Sequence, residues 1–135
     1  MKLELIEQLR ELQKSIHDNN VIAGWWNDIG TGVDLAEEVR NKTRFGKALI
    51  AEKLCLVHSE VSEGMEGVRK NLPDDKLPHR PMIEVELADA VIRILDLCGA
   101  LQLDLSGAIY EKLEFNAVRP DHKIENRSKE NGKAF

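Results

Sequence analysis

Aromatic side chains are scarce in this sequence, six of 135 residues or 4%. Two of them, Trp25 and Trp26, are adjacent, so a third of the large rings sits at one point of the chain. Cysteine is scarcer still. Cys55 and Cys98 each lie inside an apolar helical run, which fits buried thiols and argues against a disulfide framework or a zinc site. Basic residues are outnumbered: 19 Lys and Arg face 24 Asp and Glu, for a formal charge of −5. An acidic chain is a poor match for nucleic acid, whose backbone demands clustered Lys and Arg. No apolar stretch is long enough to span a bilayer, so no membrane partner is expected. The N-terminus, MKLELIEQLRELQKS, is charged and periodic, unlike a secretory signal, and the expected location is cytoplasmic. Sustained alternation of apolar and polar residues is also missing, which removes the usual signature of strands.

What remains is helical. The composition, 42% hydrophobic and 32% charged, is that of an ordinary globular domain. Leu3, Ile6, Leu9, Leu12 and Ile16 recur at helical spacing, and the first helix is expected to end near HDNN, where Asp and Asn favour turns. VIAGWWNDIGTG reads as a loop. Asp34 is placed to cap a short helix through about Arg40. A long helix is expected from about Phe45 to Lys70, another from about Met82 to Leu101, and between them NLPDDKLPHRP, with three prolines, must be a connection. LDLSGAIYEKLEFNAV makes a further helix, starting near Asp104 or Ser106. The expectation is an all-α helical bundle of about four to five helices over residues 1–120, followed by a polar, loosely ordered tail over 121–135.

Two helices carry carboxylates close to their apolar sides. Residues three apart share a helix face, so Glu60 pairs with Glu63, and Glu86 with Asp89. On the first helix Ile50, Leu54, Val57, Val61, Met65 and Val68 mark the expected core-facing stripe, with Leu49 and Leu56 on the other side of the glutamates. The second helix is apolar nearly all round, as a buried helix should be. Taken alone, one E-x-x-E is more often solvated or paired with lysines of its own helix. Two such pairs on apolar helices joined by a Pro-rich turn are harder to dismiss. Four carboxylates in a partly dry space repel one another, and proteins accept this when a cation neutralises them. Oxygen-only donors select hard metals, chiefly Mg²⁺, Ca²⁺ or Mn²⁺. A ferritin-like di-iron site needs Glu-x-x-His as well, and no Glu precedes His17, His58, His79 or His122 by three residues.

Cations and rings supply possible partners for a substrate. Lys112 and Asn116 are four apart on one face, and Arg119 follows at the helix end; together they suit phosphate oxygens. The alternative is a solvated face with Glu111 or Glu114 as partners. One of Trp25 and Trp26 is expected in the core or a subunit contact. The other is a candidate to stack on a base, an interaction worth roughly 1–3 kcal/mol; purely structural roles for both are the alternative. His17 and His58 are candidates for the same region, or else partly buried structural histidines. Lys53, two turns before Glu60, is a candidate to meet either a carboxylate or a phosphate.

SEVSE, then ELADAVIRILDL, then KLEFNAVRP, with GWW upstream, resembles the MazG-like all-α nucleoside triphosphate pyrophosphohydrolases. The likeness runs from about Ile16 to His122 and lies in the order and spacing of the pieces. It implies Mg²⁺-dependent hydrolysis of a nucleoside or deoxynucleoside triphosphate to monophosphate and pyrophosphate, with Mn²⁺ as a possible substitute. It further implies that Glu60, Glu63, Glu86 and Asp89 hold the metal, that Lys112, Asn116 and Arg119 contact phosphates, and that the Trp25–Trp26 loop lies near the base. Glu63, or Glu60, would accept the proton of the attacking water. Ser59 stands where many relatives carry an additional acid. Relatives are dimers or dimers of dimers, so a homo-oligomer is implied too. The phosphoribosyl-ATP pyrophosphohydrolase branch has a similar fold and motif and is the alternative among enzymes. From another class, a helical module that binds nucleotide or metal without turnover also fits the residues.

Overall fold

A computed structural model describes residues 2–135. It is all-α, 71% helical in six helices, with no strand among the described residues. The helices are α1 (Lys2–Ile22), α2 (Leu35–Asn41), α3 (Arg44–Lys70), α4 (Met82–Ala100), α5 (Leu105–Val118) and α6 (Ile124–Arg127), with a 3₁₀ turn at Pro120–His122. None of the helices described is long and apolar enough to cross a membrane. The chain divides into two compact units, Glu11–Leu103, and the segment up to Arg10 together with Asp104–Phe135.

In the first unit, α3 and α4 form an antiparallel hairpin. The direction follows from the contacts: Gly67 lies against Met82, Gly64 against Glu86, and Glu60 bonds Arg93. Thr43 caps α3 by accepting from the Gly46 amide at 2.9 Å, as a hydroxyl at an N-cap should. Asn71 ends it in the left-handed conformation, φ 51°, closing the helix back onto Gly67 and Val68. The Pro-rich connection is held by Asp74, a buried carboxylate that accepts from the amides of Lys76 and Leu77 at 3.0 and 2.7 Å.

The face that α3 turns to its neighbours matches the expected one only in part: Ile50 and Val57 are half-buried, Ile50 against the core. Leu54, Val61, Met65 and Val68 are 49% to 58% exposed, whereas Gly46, Leu49, Glu60, Gly64 and Gly67 are buried. The reason is steric. A Cβ on Gly67 would lie 2.8 Å from that of Met82, so only glycine lets the two backbones come this close. α4 is likewise not covered all round: Leu87, Val91 and Ile92 are 41% to 51% exposed. α2 packs on α3 in the same close manner, because a Cβ on Gly46 would stand 1.9 Å from the Glu38 carbonyl oxygen. Gly46→Ala should therefore destabilise by about 2 kcal/mol or more, despite the ~1 kcal/mol that Ala gains over Gly in a helix. A raised urea midpoint for this variant would mean that α2 and α3 do not meet so closely.

The first helix also overruns its expected stop. α1 continues through His17, Asp18, Asn19 and Asn20 to Ile22, because Asn20 spends its amide on Asp96 (2.8 Å) rather than on a local turn. It ends before Gly24, at φ 86°. Trp26, Ala36, Val39, Leu49, Leu97 and Ala100 form the core of this unit.

In the second unit, Asp104 caps α5 by accepting from the Gly107 amide (3.1 Å) and pairs with Arg10. The tail corrects another expectation, since it is folded rather than loose. Arg127 donates to the carbonyls of Lys133 and Ala134 at 3.2 Å each, and the Asn126 amide donates to the Pro120 carbonyl at 2.6 Å.

Candidate functional site

The hairpin register sets the site. The glycine-bearing face of α3 is also the face that carries Glu60, so close helix approach drives that carboxylate toward α4. There it meets Glu86. Carboxylate oxygens of Glu60, Glu63 and Glu86 lie within 4.8 Å of one another. Glu60 and Glu86 are buried, at 7% and 9% exposure, and Glu63 opens to solvent. Asp89, one turn along α4, is exposed and lines the same cavity but stands outside the close trio. The cavity holds about 1060 Å³ and is bounded by these four acids, Arg93 and the connection around Asp74.

Electrostatics mark the trio as crowded. The Glu86 carboxyl is pushed up to about 7, first by burial, then by its hydrogen bond with Glu60 and the neighbouring charge of Glu63. Glu60 goes the other way. Burial pushes it up most strongly, but hydrogen bonds from Arg93 and Glu86, with the Arg93 charge, outweigh that and hold it below the usual range. Arg93 Nε donates to Glu60 Oε1 at 2.6 Å. Arg93 thus favours the charged form of Glu60. Ser59 spends its hydroxyl on the Leu56 carbonyl of its own helix (2.6 Å).

Arg93 was not among the expected site residues, although the pattern held a sign of it. Glu86, Asp89 and Arg93 stand at i, i+3 and i+7 and share one face of α4. Asp96, also overlooked, is a lone acid in the apolar run RILDLCGA and anchors a second centre. It accepts from His17 Nδ1 (2.8 Å), Asn20 Nδ2 (2.8 Å) and Trp26 Nε1 (2.9 Å).

That centre separates the two tryptophans. Trp26 is 1% exposed and has no face open for a base, so its place among the substrate-binding candidates is corrected to the core. Trp25, 68% exposed, is the free ring. His17 packs edge-on to Trp26, with ring centroids 5.4 Å apart. Lys53 sets its ammonium over the Trp26 ring, 4.7 Å from the centroid, in a cation–π contact. His58 is exposed on α3.

Lys112, Asn116 and Arg119 belong to the second unit, where Lys112 and Arg119 gather near Phe115. Lys112 Nζ lies 4.9 Å and Arg119 Cζ 5.5 Å from its ring centroid. Arg119 is also gripped by Asp121 at 3.0 and 2.7 Å. That grip holds the Asp121 carboxyl down to about 2. Asn116 Oδ1 is buried and makes no hydrogen bond. No family model, curated protein or solved structure matches the chain.

Proposed function

We propose that this protein hydrolyses nucleoside triphosphates to monophosphate and pyrophosphate with the help of a divalent cation, as a MazG-like pyrophosphohydrolase does. One observation carries the reading: acids from E-x-x-E and E-x-x-D, 23 positions apart at their nearest ends (Glu63 and Glu86), come together with oxygens within 4.8 Å in one cavity. The donor set fits a hard cation, because it is all carboxylate oxygen, and burial together with the neighbouring Glu60 and Glu63 already raises Glu86 to about 7. Glu60, Glu63 and Glu86 would hold Mg²⁺ or Mn²⁺, with Asp89 at the rim. Bound there, the ion would neutralise phosphate charge and position the scissile anhydride.

The remaining work falls to the chain itself. Glu63, which faces the cavity solvent, takes the proton as water oxygen attacks the α-phosphorus. The bond to the bridging oxygen breaks, and pyrophosphate leaves with that electron pair. Trp25 offers a ring for the base. The uncovered apolar faces of α3 and α4 support a homo-oligomer, since patches of this kind mark contact surfaces.

A panel of nucleoside triphosphates with Mg²⁺ tests the reading, with pyrophosphate and orthophosphate assayed separately. Pyrophosphate should be the product, and EDTA should abolish its release. Orthophosphate as the main product, or full activity in EDTA, overturns the proposal. Saturable binding of nucleotide without turnover returns the chain to a binding module.

A further inference from the structure

Arg93 and Lys76 are the cations that line the acidic cavity, and the Arg93 guanidinium lies directly on an acid of the trio. We propose that Arg93 is the resident counter-cation of the carboxylate trio: it holds Glu60 while no metal is bound, yields it to the metal, and then grips the phosphate chain of the substrate. The inference rests on the proposed function.

Three observations carry it. Arg93 bonds Glu60 Oε1 at 2.6 Å, and Glu60 is the buried acid of α3 whose oxygens converge with those of Glu63 and Glu86. Second, the Arg93 side chain is 41% exposed and lines the cavity wall, so it has room to swing without leaving the cavity. Third, guanidinium is always charged. It cannot shed a proton when a second cation arrives beside it, so the two compete for the same carboxylate. A planar fork released from a carboxylate is suited to phosphate oxygens, which it binds in the same bidentate way. Arg93 is therefore a positioning residue in the metal-free protein and a phosphate ligand in the loaded one. A purely structural bridge would instead orient Glu60 for the metal, as outer partners of metal ligands commonly do, and its loss would weaken metal binding.

The two roles predict opposite signs. Mn²⁺ binding is measured by electron paramagnetic resonance without nucleotide, on wild type, R93Q and R93K, with E63Q as the site control. Inorganic tripolyphosphate binding to the Mn²⁺-loaded proteins is measured by calorimetry. R93Q should bind Mn²⁺ alone about fivefold tighter than wild type. Its tripolyphosphate affinity should fall about tenfold. R93K keeps the charge, so its Mn²⁺ affinity should match wild type, while losing the fork should still weaken tripolyphosphate; this arm holds even if R93Q does not fold. Weaker Mn²⁺ binding by R93Q, or tripolyphosphate binding unchanged in R93K, overturns the proposal and leaves the metal reading standing. Wild type that binds no Mn²⁺, or binds it as well after E63Q, overturns both.

Discussion

Trp26→Ala is expected to lower the melting temperature by on the order of 15 °C, the largest stability loss of any single substitution considered. Trp26 is 1% exposed and packs with Ala36, Val39, Leu49, Leu97 and Ala100. Truncating a buried Trp costs roughly 3–5 kcal/mol, against a total stability of about 5–15 kcal/mol for a domain. The loss has two parts that can be separated. Trp26→Phe keeps most of the ring but removes the indole N–H, leaving Asp96 with His17 and Asn20 alone; an acceptor short of one donor should cost about 1–3 kcal/mol. Trp25→Ala, at an exposed ring, should stay within about 0.5 kcal/mol of wild type. Circular dichroism melts of the three variants, beside nucleotide titrations, give the answer. If Trp26→Ala melts like wild type but binds nucleotide poorly, Trp26 is a ligand-facing ring and its place in the core is wrong.

The helices were legible because their ends are written in local chemistry. Asp34, Thr43 and Asp104 accept from amides three residues on, and Pro81 opens α4. The acid pairs were legible for the same reason, since i, i+3 spacing is a property of one helix. What stayed hidden depends on neighbours. The buried face of α3 is chosen by Gly46 and Gly67, whose missing side chains admit another helix, and a hydrophobic-stripe argument weights them at nothing. HDNN looked like a stop because the partner of Asn20 is Asp96, 76 residues away. The Arg119 partner Asp121 stayed hidden because it lies beyond the proline that follows the helix. Arg93 stayed hidden because its partner, Glu60, is 33 residues away on another helix.

Glu86 should make the metal-free protein less stable as pH rises from about 5 to about 7.5. Its folded-state pKa is raised from 4.5 to about 7, by burial first and then by Glu60 and Glu63. Between those two values the folded chain keeps a proton that the unfolded chain has released. Stability therefore falls with pH across that window and levels off above it. Glu60 has the opposite sign: its depressed pKa gives stability above about 4.5 that is lost only as pH falls through the lower folded value, outside the window. The Glu86 contribution is on the order of 2 kcal/mol, which amounts to several degrees of melting temperature. Glu86→Gln removes the titration and leaves an amide able to donate to Glu60. In EDTA this variant should melt above wild type at pH 8 and show a flatter profile between pH 5 and 7.5. The wild-type minus variant difference isolates Glu86 from every group that the two proteins share. Mg²⁺ adds a second reading of the same site. A cation binds the deprotonated carboxylates, so it should stabilise wild type more at pH 8 than at pH 5, by about 2.7 kcal/mol at a hundredfold excess over its dissociation constant. Glu86→Gln should lose most of that shift. A wild-type melting temperature that rises over the window, with the variant tracking it, would show that Glu86 holds no proton there and that the trio is not short of a cation.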